Sequence, residues 1–293
     1  MRNQERPVTP AFQTSLSGGV YSNAKDLRTI ALSILHNELL CDNVVREWLK
    51  PRGHTASLTT SLGAPWEIYR LTIPVSADTN RTRVSDLYTK AGGNAGYAAI
   101  FAISPDHGIG YTILLAGASA VPDRVPLRNL IGEVFIPAAE AAAFENAATN
   151  YAGKFADPDN ELSNLTLTVD KDEPGLGLPS LFVDGVNWLS NITQPLLDPA
   201  ASVNISNRLY PSGGEYISPS NGRLVKQFDA VSGKAGGIPR SQVEGGTGLF
   251  DDGCTAWETT GFFTTTEFEL EVVEGRVMAV RMLDSNVTMT RLD

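Results

Sequence analysis

The sequence predicts an α+β protein in two parts: an antiparallel sheet with flanking helices over residues 1–150, and a β-rich sandwich or barrel over residues 151–293. Ala- and Leu-rich helical runs alternate with apolar strand runs in the first part, whereas short strand runs broken by Gly, Pro, Asn and Ser fill the second. Charge changes at the same point, since residues 1–150 carry 13 basic and 13 acidic residues and residues 151–293 carry 10 and 20. We therefore place a domain boundary after residue 150.

Helices and strands follow one another through the first part. Apolar residues at helical spacing predict a helix over 27–35, with Ser22 as its N-cap, and a second helix runs from Asp42 to Pro51. Residues 52–82 are expected to be loop. Strands are predicted at 84–90, 97–103 and 109–115, with a hairpin turn at 105–108. A helix is predicted over 123–148, and the two prolines inside it indicate an early start or a kink.

The second part contains strand-like runs without a helical period. They are LTLTV, SLFV, RLVKQF, TTGFFTTTEFELEVVE and RVMAVRML, and turn residues separate them. Their spacing is typical of a sandwich or a barrel.

The formal net charge of −10 excludes several classes of function. Nucleic acid and anionic membrane surfaces would be repelled, so neither is expected as a partner. No apolar run approaches the length of a membrane span. The two cysteines, Cys41 and Cys254, and three dispersed histidines give no metal-ligand spacing, and no nucleotide-binding motif is present, so we expect no metal and no cofactor. Whether the two cysteines form a disulfide stays open.

The sequence leaves the cellular compartment open. The first residues, MRNQERPVTPAF, carry charge but no apolar core, so we do not expect them to act as a secretory signal. Five glycosylation sequons mildly favour a secreted, glycosylated ancestry; they begin at Asn80, Asn164, Asn191, Asn204 and Asn286.

The stretch most suggestive of chemistry is a strand that ends in Lys-Ala-Gly-Gly at 90–93. We expect an edge strand that presents a cation, with glycines that let a substrate lie against the backbone. A backbone N–H near Gly93 would face a developing oxyanion. We therefore predict Lys90 as a catalytic residue and five substrate-binding residues, Tyr88, Gly92, Gly93, Asn94 and Tyr97. The alternative is a glycine-rich hairpin with a surface lysine.

Five segments stand in a characteristic order along the chain. They are GGVYSNAKDL from Gly18, PWEIYR from Pro65, KAGG from Lys90, SPDHGIG from Ser104 and NYAG from Asn150. Together they resemble the serine β-lactamase and penicillin-binding-protein superfamily, in its fungal β-lactamase-like branch. The resemblance implies a partial β-lactamase/transpeptidase-like sheet, an appended β-rich domain, and a hydrolase or acyltransferase acting on a small ester, amide or polyketide-like substrate.

The resemblance also implies a mechanism that this chain does not complete. In the superfamily the serine of a Ser-x-x-Lys motif attacks an acyl carbonyl, and its lysine and a Tyr-x-Asn tyrosine move the proton. Both motifs belong far upstream of Gly18, which only seventeen residues precede. Residues 22–25 and 21–23 match the two patterns literally, but they share Ser22, which a helix cap explains. Ala91 also stands where Thr or Ser is usual, so we expect a degenerate or incomplete enzyme without its nucleophile.

Other functions remain open at this stage. A retained pocket could serve a non-hydrolytic cyclase or isomerase-type tailoring enzyme of fungal secondary metabolism, which would gain rate by orienting its substrate. The chain could instead be a secreted binding module. A fragment of this kind has an exposed sheet edge, which we expect to be covered by a partner. The partner would be a second copy, paired along residues 84–90 in a homodimer, or a missing N-terminal half.

Overall fold

The computed structural model describes residues 18–76, 81–94, 96–189, 205–234 and 266–292. The chain divides into two compact units, Met1–Ala141 (unit 1) and Ala142–Asp293 (unit 2). Helices and antiparallel sheets make the protein α+β, as the sequence predicts. The boundary after residue 150 remains a prediction.

Unit 1 is built on a six-stranded antiparallel sheet in which the strands follow chain order. Its helices are α1 (Ala24–Leu35), α2 (Asp42–Leu49) and the larger part of α3 (Ala120–Asn150), whose last residues belong to unit 2, and a 3-10 turn covers Pro105–His107. Its strands are β1 (Gly53–His54), β2 (Thr60–Leu62), β3 (Glu67–Pro74), β4 (Thr82–Asn94), β5 (Tyr97–Ser104) and β6 (Ile109–Ala116).

Helices cover both faces of this sheet. On one face Ala31 of α1 and Val45 of α2 pack against Ile68 and Ile103. On the other face Ile136 of α3 joins a second cluster with buried residues of β3 to β6. Successive strand residues point to opposite faces, so each face of β4 belongs to a different apolar cluster.

The strands β4, β5 and β6 and the long helix confirm the sequence prediction, whereas two local expectations are wrong. Residues 52–82 are not loop, because β1, β2 and β3 lie there. Those strands escape pattern analysis because two of them have only two or three residues and the third ends in a proline. The N-cap of α1 is Asn23 rather than Ser22, since the Asn23 side chain accepts a hydrogen bond from the Asp26 N–H at 3.0 Å.

The described residues of unit 2 form an eight-stranded antiparallel barrel, which decides between the sandwich and the barrel. Its strands are β7 (Gly153–Asp157), β8 (Asn160–Val169), β9 (Leu176–Val183), β10 (Val186–Asn187), β11 (Ile205–Ile217), β12 (Leu224–Lys234), β13 (Glu267–Val273), β14 (Arg276–Met282) and β15 (Val287–Arg291). Pairing of β8 with β9 closes the barrel, and the short β10 extends it beside β9.

Apolar side chains from every barrel strand fill the interior of unit 2. The fully buried ones include Phe155, Leu165, Leu178, Leu209, Phe268, Leu270, Met282 and Met289. Their packing makes the barrel a filled core rather than a pore. Among the helices that the structure describes, none is both long and apolar enough to cross a membrane.

Candidate functional site

The predicted catalytic strand has a free edge only over its last five residues. Strand β3 pairs with β4 from Pro74 opposite Thr82 to Glu67 opposite Thr89, and there it ends. Strand β5 pairs with the other side of β4 from Tyr88 to Asn94. Within the described chain, no strand therefore pairs with Lys90–Asn94 on the β3 side, and we call these five residues the ribbon.

This register corrects part of the sequence prediction. The edge expected over 84–90 is already occupied as far as residue 89, because β3 lies along it. A homodimer paired through residues 84–89 on that side would have to displace β3. The expected edge is real at Lys90 and continues toward the Asn94 turn.

Lys90 lies at the start of the ribbon and is held by the end of β3. Its Nζ is 2.5 Å from Oε1 of Glu67 and also donates to the Ala91 carbonyl at 3.0 Å. The Thr89 hydroxyl donates to the Glu67 carbonyl at 3.0 Å, which fixes Glu67 beside the ribbon. The Lys90 side chain is 47% exposed, so a ligand can reach it, but its charge is already compensated.

An aromatic cluster includes Tyr88, which lies on the same face of β4 as Lys90 because the two residues are two positions apart on the strand. Trp66 is buried and packs against Trp48, Phe101 and Tyr88, with ring centroids 5.1–6.2 Å apart. Trp48 Nε1 donates to the Ala64 carbonyl at 2.7 Å, which ties the turn before β3 to α2. Burial, together with the nearby Asp86 carboxylate, raises the pKa of Tyr88 to about 12, so this phenol stays protonated at neutral pH.

The two ribbon glycines have different surroundings. A Cβ built on Gly92 would meet open space, whereas one on Gly93 would lie 3.2 Å from Nη1 of Arg124 and 3.3 Å from the Tyr97 carbonyl oxygen. Arg124, the fifth residue of α3, donates from Nη1 to the Gly92 carbonyl at 2.8 Å. A Cβ at residue 93 would therefore require the guanidinium and the carbonyl to shift by a few tenths of an ångström.

The hairpin turn that ends the ribbon brings the remaining predicted residues together. Asn94 pairs with Tyr97 across the turn, and Gly96 adopts a left-handed conformation with φ of 87°. The Tyr97 side chain is 67% exposed at the mouth of the turn. All six predicted site residues thus lie on β4 or at the start of β5.

Two neighbours of the ribbon were not predicted. Glu67 stands in the PWEIYR segment, but no local pattern indicates that it reaches Lys90 across a strand pair. Arg124 lies 32 positions after Gly92, inside a stretch that the sequence marks only as helix. Strand register and helix placement create these contacts, and neither is encoded in a short motif.

The Asn of the literal Tyr-x-Asn match has a local structural role, whereas Ser22 of the literal Ser-x-x-Lys match does not cap α1. Asn23 caps α1, and its Nδ2 also donates to the Asp26 carboxylate at 2.7 Å. Tyr21 is 96% exposed ahead of the helix, and Ser22 is exposed beside it. The structure therefore assigns the Asn of the Tyr-x-Asn match to a helix cap.

A second polar cluster in unit 1 is largely buried. His107, fully buried, hydrogen-bonds Ser104 Oγ through Nδ1 at 2.7 Å and donates from Nε2 to Glu140 at 2.9 Å. Arg83 donates to both carboxylate oxygens of Glu140, at 2.8 and 2.6 Å. Ser104, His107 and Glu140 are the residue types of a catalytic triad. In a triad, however, the serine bonds Nε2 of the histidine and the carboxylate bonds Nδ1. Here the buried Ser104 bonds Nδ1 and Glu140 bonds Nε2. The cluster connects α3 to β4 and to the 105–107 turn.

Unit 2 carries an open cleft of about 540 Å³ between β9 and β11. Asp170, Glu173, Ser206 and Arg208 line it, and none of the predicted site residues does. Arg208 is saturated there, because it donates to the Asp170 carboxylate and to the carbonyls of residues 173, 174 and 175.

No cluster of potential metal ligands occurs in the described ranges of the chain. Cys41 is exposed and free, and Cys254 lies outside those ranges.

A family model described as "Beta-lactamase-like-like, C-terminal domain" matches residues 143–293, just over half of the chain. The chain belongs to the fungal β-lactamase-like family. The match covers the described strands of the unit 2 barrel.

Curated relatives connect the rest of this β-lactamase-like chain to the same family. A "Beta-lactamase-like protein" of Arthroderma benhamiae is 28% identical over 264 residues, which is 83% of this chain and 42% of that protein. The "Probable hydrolase clz13" of Cochliobolus lunatus is 25% identical over 299 residues, 94% of this chain and 44% of that protein. The chain therefore spans less than half the length of these relatives, and the family is hydrolase-like.

A solved structure shares only a distant likeness with the β-lactamase-like chain. The crystal structure of SurE with D-Leu gives a TM-score of 0.30 at 14% identity, covering 92% of this chain and 50% of that one.

Proposed function

We propose that unit 1 forms one wall of the acyl-binding cleft of a serine hydrolase or acyltransferase, and that the ribbon is this wall. The observation that carries the proposal is the free edge of Lys90–Asn94, which begins beyond the pairing of Thr89 with Glu67, the first residue of β3. A strand edge offers unpaired N–H and C=O groups to an extended ligand, so an ester or amide can add to it as a further strand. The sheet is then the partial β-lactamase-like sheet expected from the sequence.

Each ribbon residue has a role in this proposal. Gly92 leaves open space above the strand, so an acyl chain can lie flat against the backbone. The Gly93 N–H would stabilise the oxyanion that forms when the carbonyl is attacked. Lys90 would exchange its contact with Glu67 for the substrate and contribute positive charge at the reacting centre. Tyr88 and Tyr97 would flank the acyl group, and Tyr88 would stay protonated at neutral pH because burial raises its pKa to about 12.

We propose that the nucleophilic serine, its lysine and the relay tyrosine come from a segment other than the residues described, so that this chain alone does not perform acyl transfer. The capping role of Asn23 supports this, because it leaves the literal Tyr-x-Asn match engaged in α1. The length of the relatives supports it too, since more than half of each is not matched by this chain. That unmatched part would dock on β6, which ends the sheet with eight uncharged residues and the exposed Leu114.

Active-site labelling tests the proposal. A fluorophosphonate probe is added to the chain alone and to the chain mixed with the unmatched part of the Arthroderma relative, and adducts are located by mass spectrometry. We expect no adduct on the chain alone and one serine adduct on the added part. Labelling of Ser22 in the isolated chain would contradict the proposal, and so would a mixture that stays unlabelled although the two parts bind each other.

Paired glycine variants locate the cleft in the same assay. Gly92→Val fills the open space above the ribbon, whereas Gly53→Val adds the same bulk in β1, where a Cβ also meets open space. We expect Gly92→Val to slow labelling of the mixture by roughly tenfold or more, which a change of about 1.4 kcal/mol in the barrier produces, and Gly53→Val to leave it unchanged. Equal rates for the two variants would exclude the ribbon as the wall.

Binding by unit 2 is a second candidate function, favoured by the polar cleft between β9 and β11. Carboxylate, amide and hydroxyl groups beside Leu178 and Pro179 are the surface that a polyhydroxylated ligand would contact. Screening of soluble oligosaccharides by calorimetry tests this candidate. Heat of binding that Ser206→Ala abolishes would support it, and no heat with any member of the screen would exclude it.

A further inference from the structure

Two of the five glycosylation sequons can be compared in the structure. Asn80, Asn191 and Asn204 lie outside the described residues, whereas Asn164 and Asn286 belong to unit 2. A folded protein accommodates an N-linked glycan where the asparagine amide lies at the surface with room for a bulky sugar. The two asparagines of unit 2 differ in burial, in backbone conformation and in the partners of their amide nitrogens.

Asn286 lies in the hairpin turn between β14 and β15 and is exposed. Its backbone N–H donates to the Leu283 carbonyl at 3.3 Å, and its φ of 53° is in the left-handed region, which asparagine tolerates better than most residues. Val287, the middle residue of the sequon, packs against the barrel core. Thr288, which completes the sequon, is exposed on β15. The acceptor asparagine and the threonine that its sequon requires thus both lie on the protein surface.

The Asn286 side chain is oriented by its carbonyl end. Nη2 of Arg281 donates to Asn286 Oδ1 at 2.7 Å. Because arginine carries only donors, the amide oxygen and not the amide nitrogen faces it. Within the described residues, Nδ2 of Asn286 has no hydrogen-bond partner. A glycan bonded to Nδ2 would therefore leave the contact with Arg281 intact.

Asn164 is the contrasting sequon. It is half-buried within β8, paired with Ala156 of β7 on one side and with Phe182 of β9 on the other. Its Nδ2 already donates to the Glu161 carbonyl at 3.0 Å. A glycan on Asn164 would compete with that hydrogen bond. The fold therefore favours Asn286, although both sequons have the form Asn-x-Thr with an apolar middle residue.

We propose that Asn286 is an N-glycosylation site, and that its donor is an oligosaccharide linked to a lipid pyrophosphate. Nδ2 attacks C1 of the first sugar, an N–C bond forms, the bond from C1 to the pyrophosphate oxygen breaks, and the lipid pyrophosphate leaves. The amide gives up one proton to a base of the transferase. The proposal implies that the chain is synthesised into the lumen of the endoplasmic reticulum, where this transfer takes place. It is independent of the ribbon, because it uses only residues of unit 2.

Glycan mapping on the full chain tests the proposal. The chain, preceded by a secretory leader, is translated with endoplasmic-reticulum microsomes, and only molecules protected from added protease are collected. Peptide N-glycosidase then converts each glycosylated asparagine to aspartate, which mass spectrometry detects in the separate peptides. We expect this conversion at Asn286 in most molecules and at Asn164 in few.

Threonine variants distinguish the two sequons without changing either asparagine. Thr288→Val removes the hydroxyl that the sequon requires and suits a strand position, so it should abolish the glycan at Asn286. Thr288→Ser keeps a hydroxyl and should retain the glycan. Thr166→Val is the matched control in the Asn164 sequon on β8, and it should leave the number of glycans unchanged.

Unmodified Asn286 in protease-protected chains would overturn the proposal. A glycan as frequent at Asn164 as at Asn286 would overturn it too, since the fold would then not distinguish the two sequons. Conversion at Asn286 that persists in Thr288→Val would do the same, because spontaneous deamidation would then explain the signal. None of these results depends on serine labelling, so failure of this proposal is distinct from failure of the function proposed for the ribbon.

Discussion

Replacement of Glu140 by glutamine should strongly destabilise unit 1. The Glu140 side chain is 8% exposed and accepts hydrogen bonds from Arg83 Nε at 2.8 Å, Arg83 Nη2 at 2.6 Å and His107 Nε2 at 2.9 Å. Removal of one partner of a buried ion pair costs about 3–5 kcal/mol. The Arg83 side chain is 33% exposed and would regain some hydration, so we expect a loss of about 2–3 kcal/mol in the free energy of unfolding.

Asp86→Asn is the matched control for this substitution. Its carboxylate also accepts a two-pronged contact from an arginine, Arg70, at 3.2 and 3.4 Å, but the Arg70 side chain is 59% exposed. Exposed ion pairs contribute about 1 kcal/mol or less, so this variant should be nearly as stable as the wild type.

Urea unfolding followed by tryptophan fluorescence measures both variants, because Trp48 and Trp66 lie together beside the sheet of unit 1. Hydrogen exchange of α3 peptides then locates the loss. If Glu140→Gln unfolds within about 0.5 kcal/mol of the wild type, or is no less stable than Asp86→Asn, the buried cluster does not hold α3 to the sheet as we infer.

Three further predictions concern pH, the ribbon and the barrel. Burial would raise the pKa of Glu140, but hydrogen bonds from its arginine and histidine partners outweigh burial and lower that pKa. The difference in unfolding free energy between wild type and Glu140→Gln should therefore be largest above about pH 4.3, the ordinary pKa of a glutamate, and should shrink as the pH falls through the lower pKa of the folded protein. Urea titrations at several pH values measure this difference. Gly93→Ala should cost about 1 kcal/mol by crowding a guanidinium and a backbone carbonyl, whereas Gly92→Ala should be neutral within about 0.5 kcal/mol; equal thermal shifts would contradict this. On β14, Met282→Ala should cost about 2–5 kcal/mol because the side chain is fully buried, and Met278→Ala, at a 36% exposed position, should change unfolding by about 0.5 kcal/mol or less; similar losses would mean that the barrel interior is wrongly assigned.

Much of the fold could be predicted because its longer elements carry clear periodicity. Strands β4 to β6 and helix α3 follow apolar runs bounded by turn residues, and the closed barrel was one of the two architectures expected for the second part. Strands β1 to β3 could not be predicted, because strands this short, or ending in proline, are defined by their partners rather than by their own pattern. The cap at Asn23 was missed for a similar reason, since Ser and Asn are equally good caps and backbone geometry chooses between them.

The sequence indicates which neighbouring residues form the candidate site, but it does not indicate which distant residues contact them. The Lys-Ala-Gly-Gly letters identified the ribbon, and the structure places all six predicted residues on adjacent strands. The contacts that set its electrostatics, Glu67 with Lys90 and Arg124 with Gly92, join residues 23 and 32 positions apart. Such contacts depend on where β3 ends and how α3 approaches the sheet, which a single sequence does not specify.

Hydrogen exchange at the ribbon tests the central claim most directly. Amide exchange in a peptide spanning residues 88–97 is measured with and without the unmatched part of the Arthroderma relative and a covalent acyl probe, and a β13–β14 peptide serves as the internal reference. If the ribbon is the wall of an acyl-binding cleft, its amides slow when the second part and the probe are both present, while the barrel peptide is unchanged. Unchanged exchange at 88–97 in the labelled complex would contradict the claim, because the acyl group would then lie elsewhere.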